Sequence, residues 1–439
     1  MVSLSEVFGI GSNVNSKSYV DRGGLDARFQ LALEADRHVA VHGGSKQGKS
    51  WLRAKGLAKE STIVIQCTPE STPESLFRET LGRLNVDAVL KVTESSNLQG
   101  TLDFSASGSL GVKILSKIQA EGHATGTAGT TEAVEVQPIG KTFADLSWIA
   151  QTIVESGYQV VFEDFHYVAE DVQRKLSFML KAMGEYNFFV VIVGVWPKTH
   201  LLSYYNGDLE GRVDDIHLTW MDAELAQVLS QGADALRIKF TPELVAELVK
   251  EASGNVGLLQ RLASEVCLAE GVTTSGNVFS PHRSLDIGQS LTTARQNVAD
   301  QMQGRFQTFA DNFVRGMRRL PEGLEVYRHL LEAVTDASDQ ELLDGIDSAA
   351  LLQRIGSQTN GSGIRASDLT QALDRIDSLQ VKINVNPLVL TYSKSSRKLF
   401  LADRAFLFFR RHGNPQWPWV SGAPDITNDL AQSEPLLFQ

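Results

Sequence analysis

The chain has 439 residues, of which 42% are hydrophobic, enough for about three domains with real cores and too apolar for a disordered polymer. Its 41 Lys and Arg against 52 Asp and Glu leave a formal charge of −11. That balance excludes a protein that coats nucleic acid by overall charge, and leaves only a local basic patch for such contact.

Met1 to Asn15 has no basic segment followed by an apolar core, so no secretory leader is expected. The longest apolar run, Phe188–Trp196, is about half the ~20 residues a membrane-spanning helix needs. Cys67 and Cys267 lie far apart and fit no metal-ligand spacing. They are expected to be buried thiols of a cytoplasmic protein.

Along residues 37–270, short β-branched runs alternate with longer amphipathic segments. Strands are expected at Arg37–His42, Thr62–Cys67, Gln159–Glu163 and Phe188–Trp196. Helices are expected at Lys49–Lys59, Pro73–Leu84, Thr142–Ser156 and Ala169–Tyr186. This rhythm predicts an α/β fold with a parallel sheet covered by helices on both faces. The core should occupy residues 1–220. A small helical lid, Asp222–Leu236 and Pro242–Glu270, would fill 221–270, and a Ser/Thr/Gly-rich linker 271–289.

From 290 to 420 the order is α+β. Helices are expected at Leu324–Val334, Ala349–Ile355 and Asp368–Leu379, the last capped by Ser367, followed by a hairpin of Pro387–Ser393 and Lys398–Ala402. Three short helices and a hairpin is the winged-helix order. Residues 421–439 read as a tail.

Residues Gly43, Gly44, Ser45, Lys46, Gln47, Gly48, Lys49 and Ser50 spell G-x-x-x-x-G-K-S between an expected strand and an expected helix. Such a loop wraps phosphates with backbone N–H groups, helped by the helix N-terminus. Lys49 is expected on the β- and γ-phosphates and the Ser50 hydroxyl on Mg²⁺, which makes ATP and Mg²⁺ the expected ligands. Glu163 and Asp164 end an apolar strand at the same sheet edge. One carboxylate would hold the metal, and the other would orient or deprotonate the attacking water.

With these two motifs the chain resembles AAA+ ATPases, especially the origin-recognition-like branch and its relatives among STAND and transposition-regulator ATPases. The resemblance spans residues 17–270 and, more loosely, the tail domain. Glu163-Asp164-Phe165-His166 resembles the family's apolar-D-E-x-H pattern with the acids in inverted order, which places Glu163 on the metal (with Ser50) and Asp164 at the catalytic position. The resemblance implies that Tyr19 and Arg22 border the adenine. It implies also that Arg212 is the counterpart of an arginine finger acting on a neighbouring protomer, although pairing with Asp214 or Asp215 would equally account for that arginine. Two family features are missing: Gly194-Val195-Trp196 offers no polar sensor at its strand end, and Gly257 stands where the lid arginine is expected, with Arg261 nearby.

Lys49 and Glu163 are 114 residues apart, and the excess lies in residues 92–141. Even positions from Leu102 to Ile114 are apolar or small, a period-two pattern that predicts a β-rich inserted arm for self-assembly or partner binding. Residues 381–411 carry seven basic residues against one acid. A DNA contact could sit there, but Asp368, Asp374 and Asp377 on the expected recognition helix oppose a phosphate backbone.

Three uses stay open. One is an ATP-binding, ATP-hydrolysing switch that changes assembly or partner contacts, in defence or signalling, as a nucleotide-dependent homo-oligomer or with a protein effector at 92–141 or the tail domain. The second is a DNA-linked ATPase of the initiator or transposition-regulator type. The third is a nucleotide-stabilised scaffold without turnover.

Overall fold

Strand β1 (His38–Gly43) is buried along its whole length, and its neighbours in the central sheet explain why. A computed structural model describes residues 1–9, 11, 17–91, 101–106, 139–140, 143–196, 200–277, 282–315, 326–358, 364–383 and 385–420. In it β2 (Thr62–Gln66), β6 (Gln159–Glu163), β7 (Val190–Gly194) and β8 (Val213–Leu218) join β1 in one parallel sheet of order β2-β6-β7-β1-β8. Successive residues of the central strands feed opposite faces. Val161 and Val191 pack with Phe29, Val41 and Leu52, whereas Phe162 and Ile192 pack with Phe77 and Leu176. Each such buried side chain contributes roughly 1.5–3 kcal/mol.

Four of these strands are the expected ones. The fifth, β8, escapes a search for apolar runs because it is an edge strand. Asp214 pairs with Arg37 at 3.5 Å, and only Ile216 and Leu218 are buried. The run Phe188–Trp196 contributes β7 to the sheet. Among the described residues no helix is long and apolar enough to cross a membrane. Cys67 and Cys267 are free and buried, and burial pushes both thiols up to about 12.

A second sheet is antiparallel: β3 (Val86–Lys91), β4 (Thr101–Ala106) and β5 (Ile139–Gly140), with Val86 opposite Ala106 and Phe104 opposite Ile139. It starts before the expected arm. Of the alternating stretch only Thr101–Ala106 is seen, and Ser107–Ile114 and Ala133–Val136 lie outside the described residues.

The lid holds three helices, Asp222–Leu236, Pro242–Ala252 and Val256–Ala269. The expected stretch 242–270 divides at Ser253 and Gly254, both left-handed (φ 48° and 76°), where Gly254-Asn255-Val256-Gly257 is expected to open a helix, and the Asn255 side chain caps that helix by accepting from Leu258 N at 3.0 Å. The expected linker carries structure as well. Its β10 (Arg283–Leu285) pairs in parallel with β9 (Ile238–Phe240), burying Leu285.

A 27-residue helix, Gln289–Arg315, then runs along the lid. Its buried face (Leu291, Ala294, Val298, Met302, Phe306, Phe309, Phe313) follows the helical spacing and joins lid and C-terminal residues in one apolar cluster. That helix was missing from the elements read in sequence.

The C-terminal part has helices Val326–Asp336, Asp339–Asp344, Ser348–Gln358, Ala366–Asp374, Ile376–Lys382 and Ala405–His412. Strands β11 (Ile346–Asp347), β12 (Leu390–Ser393) and β13 (Lys398–Leu401) form an antiparallel sheet of order β11-β13-β12, one strand more than the expected hairpin. The expected helix Asp368–Leu379 differs in two ways. Arg365 rather than Ser367 is its cap, with Asp368 accepting from Arg365 N at 3.0 Å, and it stops at Asp374 before a second helix. Residues 421–439 lie outside the described residues.

Candidate active site

The phosphate-loop motif lies where β1 leaves the sheet. Gly43 has φ 143°, and a Cβ there would meet the Leu218 carbonyl at 2.5 Å, so the residue type is dictated by the neighbouring strand. Lys46 and Gly48 are left-handed (φ 55° and 84°), which curls the loop before the helix Lys49–Gly56 starts. Lys49 Nζ turns back into the loop and donates to the carbonyls of Gly44 at 2.6 Å and Gly43 at 3.3 Å. Burial lowers its ammonium to about 8, against the opposing pull of Asp164 and Glu163.

Strand β6 brings the two carboxylates to this loop. Glu163 is buried and doubly engaged: Ser50 Oγ donates to its Oε1, and Arg53 Nε lies 2.9 Å from its Oε2. Asp164 takes a left-handed turn (φ 58°) out of the strand, and its carboxylate makes no hydrogen bond among the described residues. Burial first, and the charge of Glu163 second, raise its pKa above the ordinary 3.8. The two acids therefore differ as the chemistry requires. One sits with a hydroxyl, a pair of oxygens that could hold a Mg²⁺, and the other carries no hydrogen bond among the described residues and could accept a proton.

A cleft of about 440 Å³ opens over the loop, lined among others by Tyr19, Arg22, Trp51, Asp164, His166 and Trp220. Small-molecule sites span about 300–1,000 Å³. The Arg22 guanidinium stacks 4.1 Å from the centre of the Trp220 ring and donates to Thr219 O at 3.1 Å. Trp220 Nε1 in turn donates to Gln47 O at 3.1 Å. Tyr19 donates to Asp26, and Lys55 Nζ lies 4.0 Å from its ring centre. Tyr19 and Arg22 thus reach the cleft from a segment before β1. Trp51, Arg53 and Trp220 have nothing in their spacing that distinguishes them from ordinary helix or loop residues, whereas His166 closes the stretch Glu163-Asp164-Phe165-His166, which is similar to the AAA+ pattern apolar-D-E-x-H.

The lid grips the loop directly. Gln47 Nε2 donates to Gly254 O at 2.8 Å, and Gly257 N donates to Lys46 O at 3.4 Å. A Cβ on Gly257 would lie 2.9 Å from Lys46 Cβ, so a large side chain there requires the loop to shift. Arg261 is directed elsewhere, onto Gln301 Oε1 with its Nε at 2.9 Å. At the end of β7, a Cβ on Gly194 would strike the Trp196 ring at 2.5 Å, and that ring stacks on His42 at 5.0 Å.

Arg212 sits at the other end of the sheet, before β8, where its carbonyl accepts from His38 N at 3.0 Å. Its side chain pairs with Glu185 at 2.8 Å. The alternative partners differ from those expected: Asp214 pairs with Arg37 and Asp215 with His200. Arg212 therefore lies away from the phosphate loop of its own chain.

The C-terminal domain also meets the loop. The Ala402 carbonyl accepts from Ser45 N at 2.7 Å. Next to it, fully buried Asp403 pairs with Arg305 at 2.6 Å and accepts from Asn255 Nδ2 at 3.4 Å, and Arg404 donates to Ser253 O at 3.2 Å. Lys394 pairs with Glu170 of the core at 2.7 Å. Much of the basic stretch is spent on such contacts, since Arg410 and Arg411 pair with Asp339 and Arg411 also with Glu251. Lys382, Arg397 and Lys398 form no ion pair among the described residues.

The architecture has a counterpart among solved structures. The chain is similar to the Walker-type ATPase PABY2304 of Pyrococcus abyssi, with a TM-score of 0.53 and 14% identity over 92% of this chain and 99% of that one. The chain has the P-loop NTPase fold. Looser matches are the Aeropyrum pernix Orc1 protein in complex with DNA (TM-score 0.35, 13% identity, 90% and 92% covered) and Cdc6p of Pyrobaculum aerophilum (0.37, 10%, 94% and 98%). No family model and no curated protein matches the chain. The P-loop NTPase fold accounts for the central sheet and for the loop at the end of β1. It does not by itself assign a partner or a process.

Proposed function

We propose that this chain is an ATP-binding and ATP-hydrolysing switch in which the C-terminal, winged-helix-like domain responds to what occupies the phosphate loop. The observation that carries this reading is the Ser45 N to Ala402 O hydrogen bond. Loop N–H groups are the donors that cradle phosphate, and here one is taken by a carbonyl of another domain. That carbonyl also places partial negative charge at the mouth of an anion site. An incoming triphosphate competes for the amide and repels the carbonyl, so ATP binding and release of the C-terminal domain are linked.

ATP, when bound, supplies the phosphoanhydride, and Mg²⁺ the charge that neutralises it. With both bound, Gly43 to Gly48 would wrap the phosphates, Lys49 would pair with the β- and γ-oxygens, Ser50 and Glu163 would hold the metal, and Asp164 would accept the water's proton. Tyr19, Arg22 and Trp220 border the base. In this reading Arg212, exposed before β8 and paired with Glu185, would act on the nucleotide of a neighbouring protomer, which makes a nucleotide-dependent homo-oligomer part of the proposal.

The test is sedimentation and small-angle scattering of the full chain without nucleotide, with ADP, and with a non-hydrolysable ATP analogue and Mg²⁺. The proposal expects an expanded or higher-mass particle with the analogue only. Identical particles in all three states would overturn the switch, and a change that requires added duplex DNA would favour the DNA-linked ATPase instead.

The latch can be loosened separately. Asp403→Ala leaves Arg305 without its buried partner, a change that costs about 3 kcal/mol. It is expected to lower the midpoint of thermal unfolding by several degrees and to speed nucleotide exchange. A fluorescent ADP analogue in stopped flow would show the second effect, and slower exchange would contradict the latch.

A further inference from the structure

The end of β7 carries no polar side chain to read the γ-phosphate, and Trp196 and the backbone of His166 fill the space where a Gly194 side chain would be, with the His166 amide 3.3 Å from the Cβ position. His166 itself follows Glu163 by three residues, in the short turn Phe165–Tyr167 that leaves β6. Its ring is packed on Tyr167, with centres 4.1 Å apart, and lines the same cleft as Lys49 and Asp164.

One hydrogen bond sets the chemistry of that ring. Val195 N, just past the end of β7, lies 3.2 Å from His166 Nδ1. A backbone amide only donates, so Nδ1 is the acceptor and the proton of the neutral imidazole is assigned to Nε2. Burial lowers the ring to about 3, with Lys49 adding to the effect, so the imidazole is neutral at physiological pH. Nε2 is buried and has no hydrogen-bond partner among the described residues. A buried donor held in a fixed orientation without an acceptor is costly, which marks it as a group that waits for one.

We propose that His166, through Nε2–H, makes the γ-phosphate contact that the end of β7 does not carry, so that the chain tells a triphosphate from a diphosphate. The inference rests on the ATP reading above and adds a residue to it. Because Nδ1 is tied to Val195, the same ring also joins the end of β7 to the phosphate site. The donor comes from the turn after the carboxylate strand, while the neighbouring strand only orients it.

Two variants separate this role from a structural one. His166→Asn keeps an oxygen near the Nδ1 position for Val195 N but has no group that reaches as far as Nε2. His166→Gln has a longer amide that extends to the Nε2 position. Equilibrium titration of each full-length variant with ADP and with AMP-PNP, both with Mg²⁺, reads the discrimination without turnover. His166→Asn is expected to weaken AMP-PNP about tenfold, the worth of one hydrogen bond to a charged group, and ADP by less than about twofold. His166→Gln is expected to recover most of the loss, and steady-state ATP turnover should follow the same order. Wild-type affinities in His166→Asn, or equal losses for both nucleotides, would overturn the assignment. If the wild-type chain bound neither nucleotide, the ATP reading itself would fall, and this inference with it.

Discussion

Lys49→Ala is expected to lower ATP affinity at least about 100-fold, because hydrogen bonds to charged phosphate oxygens are worth roughly 1.5–3 kcal/mol each and the ammonium supplies more than one. Isothermal titration of the full chain would measure it, and an affinity within about threefold of wild type would reject the phosphate-loop assignment. The fold should survive, since the Lys49 contacts removed are to loop carbonyls of Gly43 and Gly44 and not to the core. A pH dependence accompanies this. Burial holds the free ammonium near 8, so it loses its proton as pH rises through that value. The triphosphate favours the charged form, so binding takes up a proton near pH 8 and wild-type affinity declines above it. In Lys49→Ala that decline should vanish.

Asp164→Asn should leave nucleotide binding nearly intact and cut turnover by roughly 10²- to 10⁴-fold, the usual worth of a positioned general base. The reason lies in the asymmetry of the two acids. Glu163 is tied to Ser50 and Arg53, whereas the Asp164 carboxylate makes no hydrogen bond among the described residues and is turned out of the strand. Burial and the Glu163 charge raise the Asp164 pKa, so its proton is lost above the ordinary aspartate value of 3.8. Turnover should therefore fall on acidification through an ionisation above that value, and the acid limb should disappear in the variant. Single-turnover hydrolysis across pH measures both, and an unchanged rate would assign the proton transfer elsewhere. Wild type with no measurable hydrolysis would leave the scaffold reading in force.

How much of this was legible in the sequence varies with the range of the interaction. The loop Gly43–Ser50, the carboxylate pair and the four apolar strands were readable because each depends on local residue type: left-handed glycine, a helix start, a run buried on both faces. Strand β8 was not, because its acidic residues are tolerated only at a sheet edge. The pairing of β10 with β9 depends on contacts between segments more than 40 residues apart. The helix Gln289–Arg315 has the right period, but its polar residues dilute the pattern, and it declares itself only against the lid that covers it.

The residues expected to handle phosphate and metal were thus determined by the sequence alone, as a contiguous motif and a strand end. Only the tertiary structure decided what surrounds that chemistry. It brought the Ala402 carbonyl onto Ser45, closed the lid on Gln47 and Lys46, and left no room for a side chain at Gly257 or Gly194. It also set His166 in the lining of the cleft, its buried outer nitrogen without a hydrogen-bond partner among the described residues. The physical reason is that these are contacts of single atoms across long stretches of chain. Periodicity and composition record which face of an element is buried, and not which distant carbonyl or ring will meet it there.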